Sequence, residues 1–122
     1  MLYHITISGA GIVGLSTAWQ LLQQKPDLKI AIVEKESGVA QHQTGRNSGV
    51  IHSGIYYQPG SLRAENCIRG YRYLLDFCEK HEVDYEICGK VIVAVEEQEV
   101  SALDKILESG RANGLEGIRK IN

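Results

Sequence analysis

At 122 residues, 43% hydrophobic and with a formal net charge of −2, the chain has the length and apolar content of one globular domain. That charge supplies no basic field, which argues against nucleic acid as a partner. No apolar run approaches the roughly 20 residues that span a bilayer and the N-terminus enters a strand pattern at once, so the expectation is a cytoplasmic location, or at most the inner face of a membrane. Cys67, Cys78 and Cys88 contain no C-x-x-C pair and are odd in number, which favours neither a disulfide framework nor a metal site. Cys67 and Cys78 lie among Ile68, Tyr71, Leu74 and Leu75 at helical spacing, and they read as core.

Tyr3-His4-Ile5-Thr6-Ile7 is rich in β-branched residues and reads as a strand; an apolar helical pattern follows from Leu15 to Gln24. Between them lies Gly9-Ala10-Gly11-Ile12-Val13-Gly14, a G-x-G-x-x-G turn. Gly9 takes the tight turn, Gly11 lets backbone approach a pyrophosphate, and Gly14 lets the helix pack closely on the strand. Phosphates then sit at a helix N-terminus, where free N–H groups and the positive dipole end favour an anion. A second strand, Lys29 to Val33, ends at Glu34, twenty residues past Gly14, where the dinucleotide fingerprint wants an acid for both ribose hydroxyls. That acid disfavours NADP, whose 2′-phosphate it would repel. The helix is expected to start at Gly11 or Ile12, to bury Leu15, Ala18, Trp19 and Leu22, and to end at Pro26. Trp19 reads as core rather than as a cofactor-stacking ring.

The third parallel strand of a mononucleotide-binding half is not found where it belongs. From Lys35 to Gly60 the chain instead carries five glycines in twenty-six residues, which marks irregular backbone. Within it, His42 to Tyr57 interleaves small hydroxyl and amide side chains with glycines. That composition suits a loop laid against a phosphate chain or a flavin edge, and equally suits a surface loop; its place after the ribose-binding strand favours the former. A long helix is expected from Ser61, an N-cap, to about His81. Asp84–Ile87 and Lys90–Val95 read as two short antiparallel strands around Cys88-Gly89, different in kind from the parallel opening, which puts a domain boundary near residue 83. A further helix is expected from Glu97 to about Asn113 with Gly114 as a left-handed cap, and Ile118–Ile121 opens one more strand.

The I-x-G-A-G-I-V-G-L-S-T-A opening, Glu34-Lys35-Glu36, His42 to Ala64 and Cys88 to Glu96 resemble the N-terminal part of the flavin-dependent L-2-hydroxyglutarate dehydrogenases and oxidases, within the wider group that includes D-amino acid oxidase and glycine oxidase. The resemblance runs along nearly all of the chain. Asn47-Ser48-Gly49-Val50-Ile51-His52-Ser53-Gly54-Ile55-Tyr56-Tyr57 is its more specific part, although a similar I-H-x-G-x-x-Y run occurs in flavin glycerol-3-phosphate dehydrogenases. It implies an α/β fold: a Rossmann-like FAD-binding βαβ unit over 1–83 and the beginning of an α+β substrate domain over 84–122, incomplete in this chain because family members are much longer. It implies FAD as cofactor, held by Gly9, Gly11, Ile12, Val13 and Gly14 at the pyrophosphate and by Glu34 at the adenosine ribose. Lys35 is placed near the adenine, with a solvated charge as the other reading, and His42 near the cofactor. Thr44, Gly45, Asn47 and Ser48 would line the pyrophosphate and ribityl chain. His52 would lie by the isoalloxazine ring, as the base that takes the hydroxyl proton of a 2-hydroxy acid or as a residue that shapes the flavin pocket. The implied partners are the hydroxy-acid substrate, a quinone or oxygen as electron acceptor, and the remainder of a longer chain. An amine or amino-acid oxidase of the same fold and a non-catalytic nucleotide-binding fragment are the alternatives. The 122-residue polypeptide by itself is expected to hold FAD weakly and to turn nothing over.

Overall fold

The computed structural model describes residues 2–121, which fall into two compact units that divide after Gly49. The boundary expected near residue 83 lies inside the second of them.

In the first unit, β1 (Ile5–Ser8) leads through the glycine turn into α1 (Ile12–Gln24) and then β2 (Ile30–Val33). The strands are parallel, with Ile5 opposite Ile30 and Ser8 opposite Val33. Backbone bonds extend the ladder at both ends, from His4 N to Lys29 O at 2.8 Å and from Gly9 N to Val33 O at 2.8 Å. The second of these ties the glycine turn to the tip of β2. Ala18 on α1 is buried, Leu15 and Trp19 are half-buried, and Leu22 is exposed. A stripe of this kind packs on one face of a sheet. α1 closes at Lys25, whose N–H reaches Leu21 O, one residue before Pro26. The sheet has two strands among the described residues, and Val33 is 55% exposed.

In the second unit, α2 (Leu62–Lys80) begins where Ser61 Oγ accepts the Ala64 N–H at 3.2 Å. Ala64 and Cys78 on it are buried, while Cys67, Ile68, Tyr71 and Leu75 are half-buried. Beyond its C-cap His81, Glu82 adopts φ +54 and Val83 N–H returns to Cys78 O at 2.9 Å, a Schellman closure built on a non-glycine residue. α3 (Val100–Ala112) follows a single 3₁₀ turn, Glu97–Glu99, whose entry is a capping box between Glu96 and Glu99. Gly114 caps its far end with φ +76. The segment around Gly54 and Ile55 joins both helices. Asn113 Nδ2 donates to Gly54 O at 3.2 Å and to Tyr57 O at 2.8 Å, and a Cβ on Gly54 would lie 3.6 Å from the Cys67 side chain.

The strands expected over 84–87, 90–95 and 118–121 are absent: those residues carry no ladder. The alternation that suggested a strand is present, since Val91, Val93 and Val95 are exposed while Ile92 and Ala94 are half-buried. A strand is defined by inter-strand hydrogen bonds, and no partner lies beside this segment among the described residues.

Candidate functional site

The glycine turn is shaped by steric demands at each glycine. Gly9 has φ +98, a left-handed value that a side chain resists. A Cβ on Gly14 would run into the carbonyl oxygen of Gly9 and lie 3.3 Å from Ile7 Cγ2, so this glycine permits the contact between helix and strand. Gly11 is the N-cap of α1 with extended backbone and no side chain to give the helix an acceptor. A helix leaves its first N–H groups without intrahelical partners. Here Ile12 N–H is taken by Thr44 Oγ1 at 2.9 Å, a residue thirty-two positions away. The first turn holds no acidic side chain, so the N–H groups of Val13 and Gly14 and the positive end of α1 remain for an anion.

Glu34 lies beside this turn. Its Oε2 accepts the Ala10 N–H at 2.7 Å, and its Oε1 accepts the N–H groups of Lys35 at 2.9 Å and Glu36 at 3.1 Å. These bonds, the one from Ala10 first, hold its carboxyl below the ordinary carboxylate range. Glu34 therefore clasps the tip of β2 to the glycine turn as an anion.

The loop after β2 folds back over the same place. Ala40 N–H reaches Ala10 O at 3.0 Å, and residues Gln43–Arg46 form a 3₁₀ turn that presents Thr44. Gly45 is required because a Cβ there would collide with Ala40 O. Asn47 closes the turn, donating from Nδ2 to Thr44 O and accepting Gly49 N–H on Oδ1 at 2.6 Å. His42 Nε2 meets Glu36 Oε1 at 2.8 Å, and Lys35 Nζ meets the same oxygen at 3.0 Å. The His42 and Lys35 hydrogen bonds lower the Glu36 carboxyl below its ordinary range. Gly11, Glu34, His42 and Thr44 line a cavity of about 160 Å3. That is smaller than the roughly 300–1,000 Å3 taken by drug-sized ligands, and suits one portion of a dinucleotide.

The first unit thus brings Gly11, Glu34, His42 and Thr44 to one cavity beside the turn formed by Gly9, Ile12, Val13 and Gly14, while Gly45 and Asn47 shape the loop that carries Thr44, Lys35 joins His42 through Glu36, and Ser48 is exposed. Glu36, which ties His42 to Lys35, escaped notice in the sequence; its only signal was its place in Glu34-Lys35-Glu36. His52 belongs to the second unit, where its side chain is exposed and its carbonyl accepts Cys67 Sγ–H at 3.4 Å. In that unit Lys90 Nζ lies 4.6 Å from the centroid of the Tyr56 ring, a cation–π contact that no motif announced.

The donor set at α1 fits a pyrophosphate: free helix N–H groups, a backbone without Cβ atoms at Gly9 and Gly11, and a fixed carboxylate one strand away for a ribose. Residues 4–122 match the family model described as DAO, FAD dependent oxidoreductase. The chain belongs to this family of FAD-dependent oxidoreductases. It is 52% identical over 119 residues to an L-2-hydroxyglutarate dehydrogenase of Indibacter alkaliphilus, covering 98% of this chain and 30% of that protein. The mitochondrial L-2-hydroxyglutarate dehydrogenase of Homo sapiens is 49% identical over 98% of this chain and 26% of its own length. That of Escherichia coli O17:K52:H18 is 50% identical over 94% of this chain and 27% of its own length. The chain spans less than a third of the length of these relatives. Its opening unit, two parallel strands joined through one helix, is consistent with an FAD-binding Rossmann-like unit in this family. Among the described residues no helix is long and apolar enough to cross a membrane, and no group of His, Cys, Asp and Glu side chains is arranged to hold a metal ion.

Proposed function

We propose that this chain is the FAD-binding N-terminal portion of an enzyme that oxidises L-2-hydroxyglutarate to 2-oxoglutarate. The observation that carries the reading is the cradle at α1, where the N–H groups of Val13 and Gly14, the Thr44 hydroxyl and the Glu34 carboxylate converge on one helix N-terminus. Near 50% identity to proteins named for this activity supports the substrate.

Bound FAD supplies a two-electron acceptor for the hydride that leaves C2 of the substrate. The chain's own residues do the rest of the work assigned to them here. The turn from Gly9 and Gly11 through Ile12 takes the pyrophosphate against the helix dipole, with the N–H groups of Val13 and Gly14 as donors and Ile12 held in place by Thr44. Glu34, already ionised, accepts from the adenosine ribose hydroxyls; Lys35 and His42, joined through Glu36, border the adenine end. Thr44, Gly45, Asn47 and Ser48 line the pyrophosphate and ribityl chain. His52 acts as the base that takes the substrate's hydroxyl proton, because an imidazole has an intrinsic pKa suited to proton transfer near neutral pH. A quinone or oxygen would serve as the electron acceptor, and a quinone would set the cytoplasmic enzyme against the inner face of a membrane. The 122-residue polypeptide alone holds FAD weakly and is inactive.

The test uses a full-length protein that carries this sequence. As purified it should show an oxidised flavin spectrum, and L-2-hydroxyglutarate added without oxygen should bleach it. A flavin reduced by amines or amino acids but not by L-2-hydroxyglutarate would replace this reading with an amine oxidase. A full-length protein without flavin would remove the FAD assignment itself, and an isolated 1–122 polypeptide with stoichiometric flavin and turnover would overturn the fragment's assigned inactivity.

A further inference from the structure

The second unit holds a cavity of about 300 Å3 where Ile55 and Tyr56 pass one face of α3. Lys105 and Ser109 line it from positions one helical turn apart, so a cationic and a hydroxyl side chain are carried on the same face of α3. Ile55, Ala102 and Ile106 supply apolar lining. The lining contains no carboxylate: Glu108 stays outside it, and Asp104, also outside, pairs with Lys120 Nζ at 2.8 Å. On the Tyr56 ring rests a second cation, Lys90. A lysine and a serine in a lining that is otherwise mostly aliphatic match an anionic oxygen pair carried on a short methylene stem.

We propose that this cavity is a carboxylate subsite for the far end of a short dicarboxylic acid, with Lys105 Nζ and Ser109 Oγ donating to the carboxylate oxygens. The methylenes lie against Ile55 and Ile106, and Lys90 acts as a positioning residue that holds the Tyr56 ring at the cavity wall. The identity of the acid rests on the function proposed above. A five-carbon 2-hydroxy diacid differs from its monocarboxylate analogue only at this distal group, so this is the contact that would select it. His52 stands three residues before Ile55 on the same segment, which assigns the reacting end and the distal end to one unit.

The experiment uses the full-length FAD-loaded protein and its Lys105→Met and Lys105→Arg variants. Lys105 is an exposed helix residue, and Met is as good a helix former, so the fold is retained. Calorimetry with glutarate and with pentanoate reads binding without turnover. A hydrogen bond to a charged group at a partly open site predicts about tenfold weaker glutarate binding in Lys105→Met, with pentanoate unchanged and Lys105→Arg restoring most of the loss. Turnover should follow the same pattern: KM for L-2-hydroxyglutarate rises about tenfold and kcat holds, while L-2-hydroxypentanoate is unaffected. Equal weakening of both acids, or of neither, overturns the subsite. Lys105-dependent glutarate binding without any oxidation of L-2-hydroxyglutarate would keep the subsite and remove the proposed reaction; oxidation with glutarate binding indifferent to Lys105 would do the reverse.

Discussion

Thr44 Oγ1 accepts the Ile12 N–H at 2.9 Å, so the helix of the glycine turn receives its N-terminal cap from a loop thirty-two residues downstream. Gly11, the local N-cap, has no side chain to give, and a Cβ there would lie 3.1 Å from the same Thr44 oxygen. The absence of a side chain at Gly11 and the hydroxyl at Thr44 are two halves of one arrangement. Removing the acceptor while keeping the shape, as in Thr44→Val, is expected to cost about 1 kcal/mol of stability, the usual value of an N-cap. Thr44→Ser should recover most of it. Denaturant unfolding of the two variants checks the pair, and equal stability of Thr44→Val and the unmodified protein would deny the cap.

Gly14 tolerates no side chain because its Cβ would overlap backbone, the Gly9 carbonyl, rather than a flexible side chain. Gly14→Ala is therefore expected to force α1 off β1 and to lose about 3 kcal/mol or more. Gly60, whose φ of +72 is left-handed but whose Cβ position is open, should cost only about 1–2 kcal/mol as Gly60→Ala. Thermal unfolding followed by circular dichroism ranks the two; a Gly60→Ala loss equal to that of Gly14→Ala would contradict the geometry.

The Glu34 carboxyl is lowered by the Ala10 N–H first and the Glu36 N–H next. A carboxyl depressed on folding stabilises the protein above its unfolded pKa, about 4.3 for glutamate, and that contribution is lost as pH falls through the lower folded value. The unit should loosen below about pH 4, and Glu34→Gln should flatten that acid limb of the stability profile. Glu36, also depressed through His42 and Lys35, contributes to the same limb, so a residual slope is expected that Glu34→Gln with Glu36→Gln abolishes. An acid limb as steep in the double variant as in the parent would show that other groups set it.

His52→Asn in the full-length protein is expected to lower kcat for L-2-hydroxyglutarate by about 10²–10⁴-fold, the usual worth of a general base. Flavin content should be unchanged. Stopped-flow reduction of the flavin is the direct measurement. A loss of flavin with the remaining enzyme fully active would make His52 a residue that shapes the pocket instead.

Local pattern carried much of the first unit. The β-branched run at Ile5–Ile7, the glycine spacing and the acid at Glu34 led to the strand, turn, helix and strand that the structure shows, because each depends on residues within a few positions of one another. The Ser61 cap and the left-handed Gly114 were legible for the same reason. The segment from Lys90 to Val95 was not. Its alternation is real, but alternation shows only which side chains share a face, whereas a strand exists only when another strand pairs with it.

By itself the sequence determined the glycine turn, its helix and the acid that follows the second strand, since backbone sterics and helix periodicity are local. Only the tertiary structure decided that Thr44 caps α1, that Glu34 is held as an anion by Ala10, and that Glu36 joins His42 to Lys35. Those contacts depend on how the loop after β2 returns, and no short-range pattern encodes a hydrogen bond across thirty-two residues.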